Sequence, residues 1–401
     1  MNVLLLASHG IAEYDDVRMF ARLGYDVFCP GGYSDPAHPG ETLRPPIPEA
    51  PDHPELRALC DAKRAEYAGA DAGHYIDWAK ADLHPDLVDW ADVIIVHHFV
   101  REWIGEQWPR IRHKRVIWRT CGQSDPGLER HMTRFRDDGL QIVRYSPAEE
   151  RYFGNHGTFA GQDAMIRFGK YPDDYGPWTG DGDFQLHRDR RDVIDVDINE
   201  PFIGNVTQNM VERGNATGLD FYLAATEGLP ARPAGPGSEQ LPGGIGALDY
   251  GEMLQYLRRA RAYIYTGTTP ASYTLGLIEA MLSGVQVVSI GPAAWAGPDD
   301  LFEGHEITRF WSDDPNSSKE LLRTLLKDKN HAAMVGYDHR LRAIDLFGMD
   351  TIGPQWQAFL GEPLKWLTTP YPLSDGRIVT VSARGVEPPR ALMTSPWDAT
   401  L

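Results

Sequence analysis

The chain has 401 residues, of which 42% are hydrophobic, and its formal net charge is −18. This length suits two domains of roughly 150 to 200 residues each rather than one core. The acidic balance disfavours nonspecific binding to polyanions, and three widely spaced cysteines argue against a disulfide scaffold or a structural zinc site. The apolar runs are far shorter than the ~20 residues that span a bilayer, so we expect a soluble, cytoplasmic protein.

The opening residues are typical of a doubly wound α/β domain. Residues 3–7 form a continuous apolar run that predicts a buried strand, a helix follows that ends at Gly24, and residues 25–29 predict the next strand. Such folds bind ligands at the carboxyl ends of their strands. His9 and Gly10, in the first loop, are therefore candidate binding-site residues.

Two further strands are predicted in the first domain, at residues 92–96 and 115–119. His97 and His98 follow the first of them. Adjacent strand residues point to opposite faces, so we expect one histidine to face a cleft and no joint metal site. Gln123 and Ser124 lie in the loop after the second strand.

Basic residues are concentrated between positions 110 and 136. This concentration predicts either a solvated surface or a contact surface for phosphate groups or nucleic acid. The strong overall negative charge favours the first interpretation.

Residues 154–191 are polar and rich in Gly, Asp and Pro, which predicts the connection between two domains. We therefore divide the chain at 1–185 and 186–355, with a tail at 356–401 whose first residues form a helix that crosses back to the first domain. Two Asp-x-Asp triplets, 181–183 and 195–197, have a metal-binding pattern. Such triplets are frequent by chance among 57 acidic residues, so we expect no metal site.

The second domain is predicted to open with a strand that contains Gly204 and Asn205, and Arg213 follows it. Further along the chain we predict a strand at 221–225, a Pro/Gly-rich loop at 229–246 and a helix at 250–260. Two amphipathic helices, at 316–327 and 332–347, follow the central block of this domain.

That central block, residues 262–291, combines a short apolar strand, a hydroxyl-rich loop, a helix that ends at Gly284 and a second strand. A helix N-terminus offers unpaired N–H groups and the positive end of a dipole, which suits a diphosphate. The hydroxyl-bearing candidates in or next to this loop are Thr268, Thr269, Ser272, Tyr273 and Thr274.

Residues 270–281, PASYTLGLIEAM, together with Gly284, resemble the donor-site signature of retaining family 4 glycosyltransferases. The resemblance implies the GT-B fold, an α/β architecture of two Rossmann-like doubly wound domains facing a cleft. In that family two glutamates with seven residues between them contact the sugar and the ribose of a nucleotide-sugar. Glu279 matches the second glutamate, and the first position is occupied by Ala271.

The resemblance implies transfer of a sugar from a nucleoside-diphosphate donor, UDP- or GDP-linked, to an acceptor hydroxyl with retention, and with no required cofactor or metal. It places the diphosphate near Gly204, Asn205 and Arg213 and the acceptor in the first domain. The candidate catalytic residues are Glu279, Arg213, His97 and His98. The candidate acceptor-side residues are His9, Gly10, Gln123 and Ser124.

Alternatives to this function remain open at the level of sequence. The acceptor could be a saccharide, a protein, a lipid-linked group or a nucleic-acid base such as hydroxymethylpyrimidine. The same donor site could serve a GT-B sugar-nucleotide epimerase or hydrolase. Because Ala271 replaces the first glutamate, a non-catalytic nucleotide-sugar-binding protein is a further alternative.

Overall fold

The architecture is given by a computed structural model of the chain. It describes residues 1–7, 10–30, 47, 52–62, 82–97, 101–122, 125–175, 200–206, 216–267, 271–289, 291, 298–302, 311–361, 371–372 and 378–379. The predicted domain boundary at 185/186 and both Asp-x-Asp triplets lie outside these residues.

The first sheet has six parallel strands in the order β2-β1-β3-β4-β5-β6. Its strands are β1 Asn2–Leu6, β2 Asp26–Phe28, β3 Val93–His97, β4 Arg115–Arg119, β5 Gln141–Arg144 and β6 Ala164–Met165. The central strands are buried apolar runs, because helices cover both faces of a parallel sheet. The predicted strands of this domain are confirmed to within one or two residues.

Helices connect and cover these strands. They are α1 Gly10–Arg22, α2 Pro54–Ala62, α3 Pro85–Trp90, α4 Arg101–Ile111, α5 Pro126–Arg136 and α6 Ala148–Asn155. Local sequence sets their starts: Asp125 accepts a hydrogen bond from the N–H of Leu128 at 2.8 Å, and proline occupies the first turn of α5.

The second sheet has four parallel strands in the order β10-β9-β7-β8. These are β7 Glu200–Val206, β8 Ala231–Ala234, β9 Ala260–Tyr263 and β10 Gln286–Val287. The helices of this half are α7 Ala216–Thr226, α8 Tyr250–Arg259, α9 Leu275–Leu282, α10 Pro298–Phe302, α11 Pro315–Lys327 and α12 Lys329–Phe347. A two-stranded antiparallel pair, β11 Tyr371–Pro372 and β12 Ile378–Val379, lies in the tail.

The predicted strand at 221–225 is wrong, because these residues belong to the helix α7. Its buried positions include Phe221, Tyr222 and Ala225, which share one helical face. The strand lies instead at 231–234, inside the predicted loop. Its Pro233 is tolerated because β8 is an edge strand of the sheet.

A last helix, α13 Met349–Leu360, packs on the first sheet, although it follows the second domain in the chain. Trp356 is fully buried there, with its ring 5.2 Å from that of Phe20 in α1. This helix therefore covers the sheet formed by the N-terminal part of the chain.

Candidate functional site

Segments that follow strands of the two sheets contact each other, because the N–H of Ser272, which follows β9, donates to the hydroxyl of Tyr145, which follows β5. In the first sheet, β1 has β2 on one side and β3 on the other, so the strand order reverses at β1. In the second, β7 lies between β8 and β9. Ligands of doubly wound sheets bind at the carboxyl ends of the strands beside such a reversal.

At the end of β7, Gly204 and Asn205 serve the packing of the sheet. A Cβ at Gly204 would lie 3.2 Å from the hydroxyl of Tyr256, which leaves little room for any side chain. Asn205 is fully buried, its N–H donates to the same hydroxyl at 2.8 Å, and its side-chain amide donates to the carbonyl of Ile264 at 2.6 Å. These bonds fix the loop edge where the diphosphate site was predicted.

The N-terminus of α9 is the second feature of this region. Thr274 is its N-cap residue, but its side chain makes no capping bond and its Oγ1 instead accepts a hydrogen bond from Tyr265 at 2.7 Å. The N–H of Leu277 donates to the carbonyl of Thr274 at 3.2 Å, so an anion at this end of α9 would be received by the N–H groups of Leu275 and Gly276.

The loop before α9 is held by the first domain. The N–H of Ser272 donates to the hydroxyl of Tyr145 at 2.9 Å, and the hydroxyl of Tyr273 donates to the carbonyl of Tyr145 at 2.6 Å. Arg167 donates to the Tyr273 hydroxyl at 3.2 Å. The Oγ of Ser272 is buried and has no hydrogen-bond partner among the described residues.

Ala271 lies against the loop that follows β4. Ala271 is 1% exposed. A Cβ added to Gly122 would lie 3.5 Å from the Cβ of Ala271. The alanine at position 271 is therefore buried beside this loop.

Glu279 is buried on α9, where its Oε1 accepts hydrogen bonds from Nζ of Lys170 at 3.0 Å and from the hydroxyl of Tyr175 at 3.2 Å. Lys170 also forms an ion pair with Asp15 of α1 at 2.5 Å. The predicted ribose contact thus belongs to a charge cluster that joins three separate segments.

A second buried cluster surrounds His97 at the end of β3. Its Nε2 lies 3.1 Å from Asp16, which is also paired with Arg119. Burial lowers the pKa of His97, although Asp16 opposes this effect, so the imidazole is neutral near pH 7. Burial tends to raise the pKa of Asp16, but Arg119 and His97 together lower it.

Glu149, at the start of α6, supports the loop that carries Tyr145. Its carboxylate accepts hydrogen bonds from Thr120 Oγ1 and from the N–H of Tyr145, both at 3.0 Å. Burial raises the pKa of Glu149 to about 7, although the neighbouring Arg144 opposes the shift.

The arginines between positions 110 and 136 have acidic or carbonyl partners in several cases. Arg110 pairs with Asp82 at 2.8 Å, and Arg136 pairs with Asp163 at 2.7 Å. Arg115 donates to the carbonyl of Leu360 at 2.7 Å. This pairing favours a structural role for much of the basic segment.

Several predicted site residues lie outside the described part of the chain: His9, His98, Gln123, Ser124, Arg213, Thr268 and Thr269. Gly10 is the first residue of α1. Apart from Gly10, the described candidates lie in three places: at the end of β7, on α9 and the loop before it, and at the end of β3. Among the described residues, no group of three or more His, Cys, Asp or Glu side chains could hold a metal ion, and no helix is long and apolar enough to cross a membrane.

The sequence did not reveal the importance of Asp15, Asp16, Lys170 or Tyr145. One signal was present: the adjacent acids Asp15 and Asp16 fall inside a helix whose other positions are largely apolar, where buried acids require partners. The identity of those partners depends on tertiary contacts far away in the chain.

Solved structures resemble this chain in fold. Anabaena Alr3699/HepE in complex with UDP and glucose is 15% identical, with a TM-score of 0.57 over 90% of this chain and 99% of that one. A glycosyltransferase from Rickettsia africae ESF-5 is 12% identical, with a TM-score of 0.54 over 90% and 98%. The N-terminal domain of a Candida albicans trehalose-6-phosphate phosphatase is 9% identical, with a TM-score of 0.51 over 90% and 96%.

No protein-family model matches the chain, and no curated protein matches it significantly. The structural likeness shows the fold: this is an α/β chain with parallel sheets, of the kind found in GT-B glycosyltransferases. The predicted fold class is confirmed.

Proposed function

We propose that the protein is a glycosyltransferase that binds a nucleoside-diphosphate sugar at the N-terminus of α9 and transfers the sugar to an acceptor held by the first domain. The observation that carries this proposal is the anion-receptive end of α9, placed beside the carboxyl ends of β7 and β9 within a GT-B fold. UDP is the first nucleotide to test, since the similar HepE structure contains it.

The donor's diphosphate would be bound by the first-turn N–H groups of α9, with the hydroxyls of Ser272 and Thr274 beside it. We propose that Arg213 supplies the positive charge, since a guanidinium can bind two phosphate oxygens at once. Glu279 would accept hydrogen bonds from the ribose. These groups stabilise the negative charge that develops on the departing diphosphate.

In the transfer, the bond between the anomeric carbon and the diphosphate oxygen breaks, and a bond to the acceptor oxygen forms. The family resemblance supports retention, with the acceptor's proton passing to a phosphate oxygen of the leaving group. This route needs no protein base. His97 is fully buried beside Asp16, so we propose that it holds the end of β3 in position rather than touching the acceptor.

The contacts of Tyr145 with Ser272 and Tyr273 support a role for the first domain in shaping the donor site. A closed cleft would keep water from competing with the acceptor. Because Ala271 carries no carboxylate, we propose that other groups bind the sugar hydroxyls.

The test is binding of UDP-, GDP-, ADP- and TDP-linked sugars, measured as the increase in thermal stability of the native protein and of Arg213→Ala. A ligand at a hundred times its dissociation constant stabilises a protein by about 2.7 kcal/mol. We expect one donor to stabilise the native protein and Arg213→Ala to lose most of this effect. Arg232→Ala is the matched control, because Arg232 is a half-exposed arginine of the same domain that pairs with Glu200.

Two results would contradict the proposal: no donor stabilises the native protein, or both arginine variants lose binding equally. With the donor identified, incubation with saccharide, lipid-linked, protein and DNA acceptors then separates transfer from the alternatives. Release of the free sugar without any acceptor would indicate a hydrolase, and a changed sugar on the nucleotide would indicate an epimerase.

A further inference from the structure

A fully buried lysine lies between two carboxylates where the two domains meet. Lys170 is 0% exposed, and its Nζ lies 3.0 Å from Glu279 of α9 and 2.5 Å from Asp15 of α1. Lysine is almost never fully buried unless it is paired, because removal of its charge from water is costly. Here two anionic partners from different domains offset the unfavourable desolvation of the ammonium group.

The backbone of Lys170 is fixed as firmly as its side chain. Its N–H donates to the carbonyl of Phe347 at 2.7 Å, and its carbonyl accepts from the N–H of Met349 at 3.1 Å. These residues flank Gly348, where α12 ends and α13 begins to return to the first sheet. Lys170 therefore holds a constant position relative to both domains.

We infer that Lys170 is a positioning residue for the donor site, which holds the carboxylate of Glu279 in the orientation that receives the ribose of the nucleotide. This inference rests on the proposed function. A ribose presents two neighbouring hydroxyls, and an ionised carboxylate can accept hydrogen bonds from both, whereas a protonated one has less acceptor capacity. Without the ammonium group, the carboxylate of Glu279 would lose one of the two partners that fix its orientation.

Tyr175 strengthens this assignment, because its hydroxyl lies 3.2 Å from the same Oε1 of Glu279 that Lys170 contacts. Because both groups contact the same oxygen, they fix the rotation of the Glu279 carboxylate. The effect of Lys170 on binding should consequently depend on the ribose hydroxyls and not on the base or the diphosphate.

The test compares the affinities of UDP and GDP with those of their 2′,3′-dideoxy counterparts by calorimetry. In the native protein we expect the dideoxy form of the preferred nucleotide to bind about tenfold more weakly, the size of one charge-assisted hydrogen bond. Lys170→Met should weaken binding of the ribonucleotide about tenfold and leave that of the dideoxy form almost unchanged. Lys170→Met combined with Glu279→Gln should show no further loss.

Arg18→Met is the matched control. Arg18 lies on the same helix as Asp15 and pairs with Asp174 at 2.6 Å, close to the same junction, and within the described part of the chain its ion pair does not involve Glu279. We expect it to retain the native preference for the ribonucleotide. If Lys170→Met does not fold, the double variant Asp15→Asn/Lys170→Met removes the repulsion between carboxylates and serves in its place.

Equal weakening of the ribo and dideoxy forms by Lys170→Met, or no weakening of either, would overturn the inference and leave the proposed function standing. Failure of every UDP-, GDP-, ADP- and TDP-linked sugar to stabilise the native protein would overturn the proposed function itself, and this inference with it.

Discussion

At the scale of single residues, the raised pKa of Glu149 predicts that the stability of the protein depends on pH. Burial raises its pKa in the folded protein to about 7, above its usual value of 4.5. Between these values the folded protein holds a proton that the unfolded chain releases, so this group's contribution to stability is present below pH 4.5 and is lost as pH rises through 7. We expect urea unfolding between pH 5 and pH 8 to show this loss, and Glu149→Gln to reduce it.

Glu102→Gln is the control for that experiment, since Glu102 is an exposed residue of α4. It should keep the native dependence of unfolding free energy on pH. If Glu149→Gln and Glu102→Gln gave the same pH profile, the raised pKa of Glu149 would be refuted.

Residues differ in how far the sequence predicts their roles. Glu279 could be singled out because its neighbours along the chain form a recognisable pattern. Lys170 could not, because its partners Asp15 and Glu279 are 155 and 109 positions away in sequence, and only the packed domains bring them together. The partners of a buried charged residue are set by tertiary contacts, which the local sequence pattern does not show.

At the scale of elements, the close crossing of α12 over the turn after α9 depends on Gly336. A Cβ at this position would overlap the backbone oxygen of Gly284, which cannot move without shifting the turn. We expect Gly336→Ala to destabilise the protein by about 1–3 kcal/mol through overpacking. The free energy of unfolding in urea measures this effect.

Gly154→Ala is the matched substitution, because Gly154 also lies within a helix, α6, but nothing lies within 4 Å of its added Cβ. There the gain in helix propensity should stabilise by up to about 1 kcal/mol. If both substitutions shifted stability in the same direction, the crossing of α12 and α9 would not be as close as the structure has it.

Helices and strands were predictable where the length of the segment and its capping residues agreed with the spacing of its hydrophobic residues. The helix α8 was predicted at 250–260, and in the structure Asp249 and Glu252 form a capping box at its start. Residues 221–225 were misassigned because five apolar residues fit a buried strand as well as one face of a helix. The small strand β8, with proline inside, has too few apolar residues for its pattern to be seen.

At the scale of the whole molecule, the doubly wound α/β class was predictable because alternating strands and helices allow few topologies, and the resemblance of residues 270–281 implied the GT-B fold. The sequence did not predict the order of the strands in each sheet. The contacts between the domains were not predictable. Tyr145 and Ser272, for example, are distant in sequence and are in contact only because the two domains pack against each other.

The return of α13 to the first sheet makes the stability of the N-terminal half depend on the C-terminal part of the chain. Trp356 is buried against Phe20. Its substitution by alanine should lower the free energy of unfolding by about 3–5 kcal/mol. We expect Trp356→Ala to accelerate hydrogen exchange in β1 and β3, which lie beneath α13, much more than in β7 and β9. Exchange followed strand by strand measures this difference.

Trp356→Phe separates the loss of packing from the loss of the indole N–H. The Nε1 of Trp356 is buried and has no hydrogen-bond partner among the described residues, so its removal should cost little. Phenylalanine keeps an aromatic ring against Phe20, and we therefore expect a much smaller destabilisation than with alanine. Equal acceleration of exchange in both sheets by Trp356→Ala would show that the two domains unfold as one unit, and that α13 is not a specific support of the first.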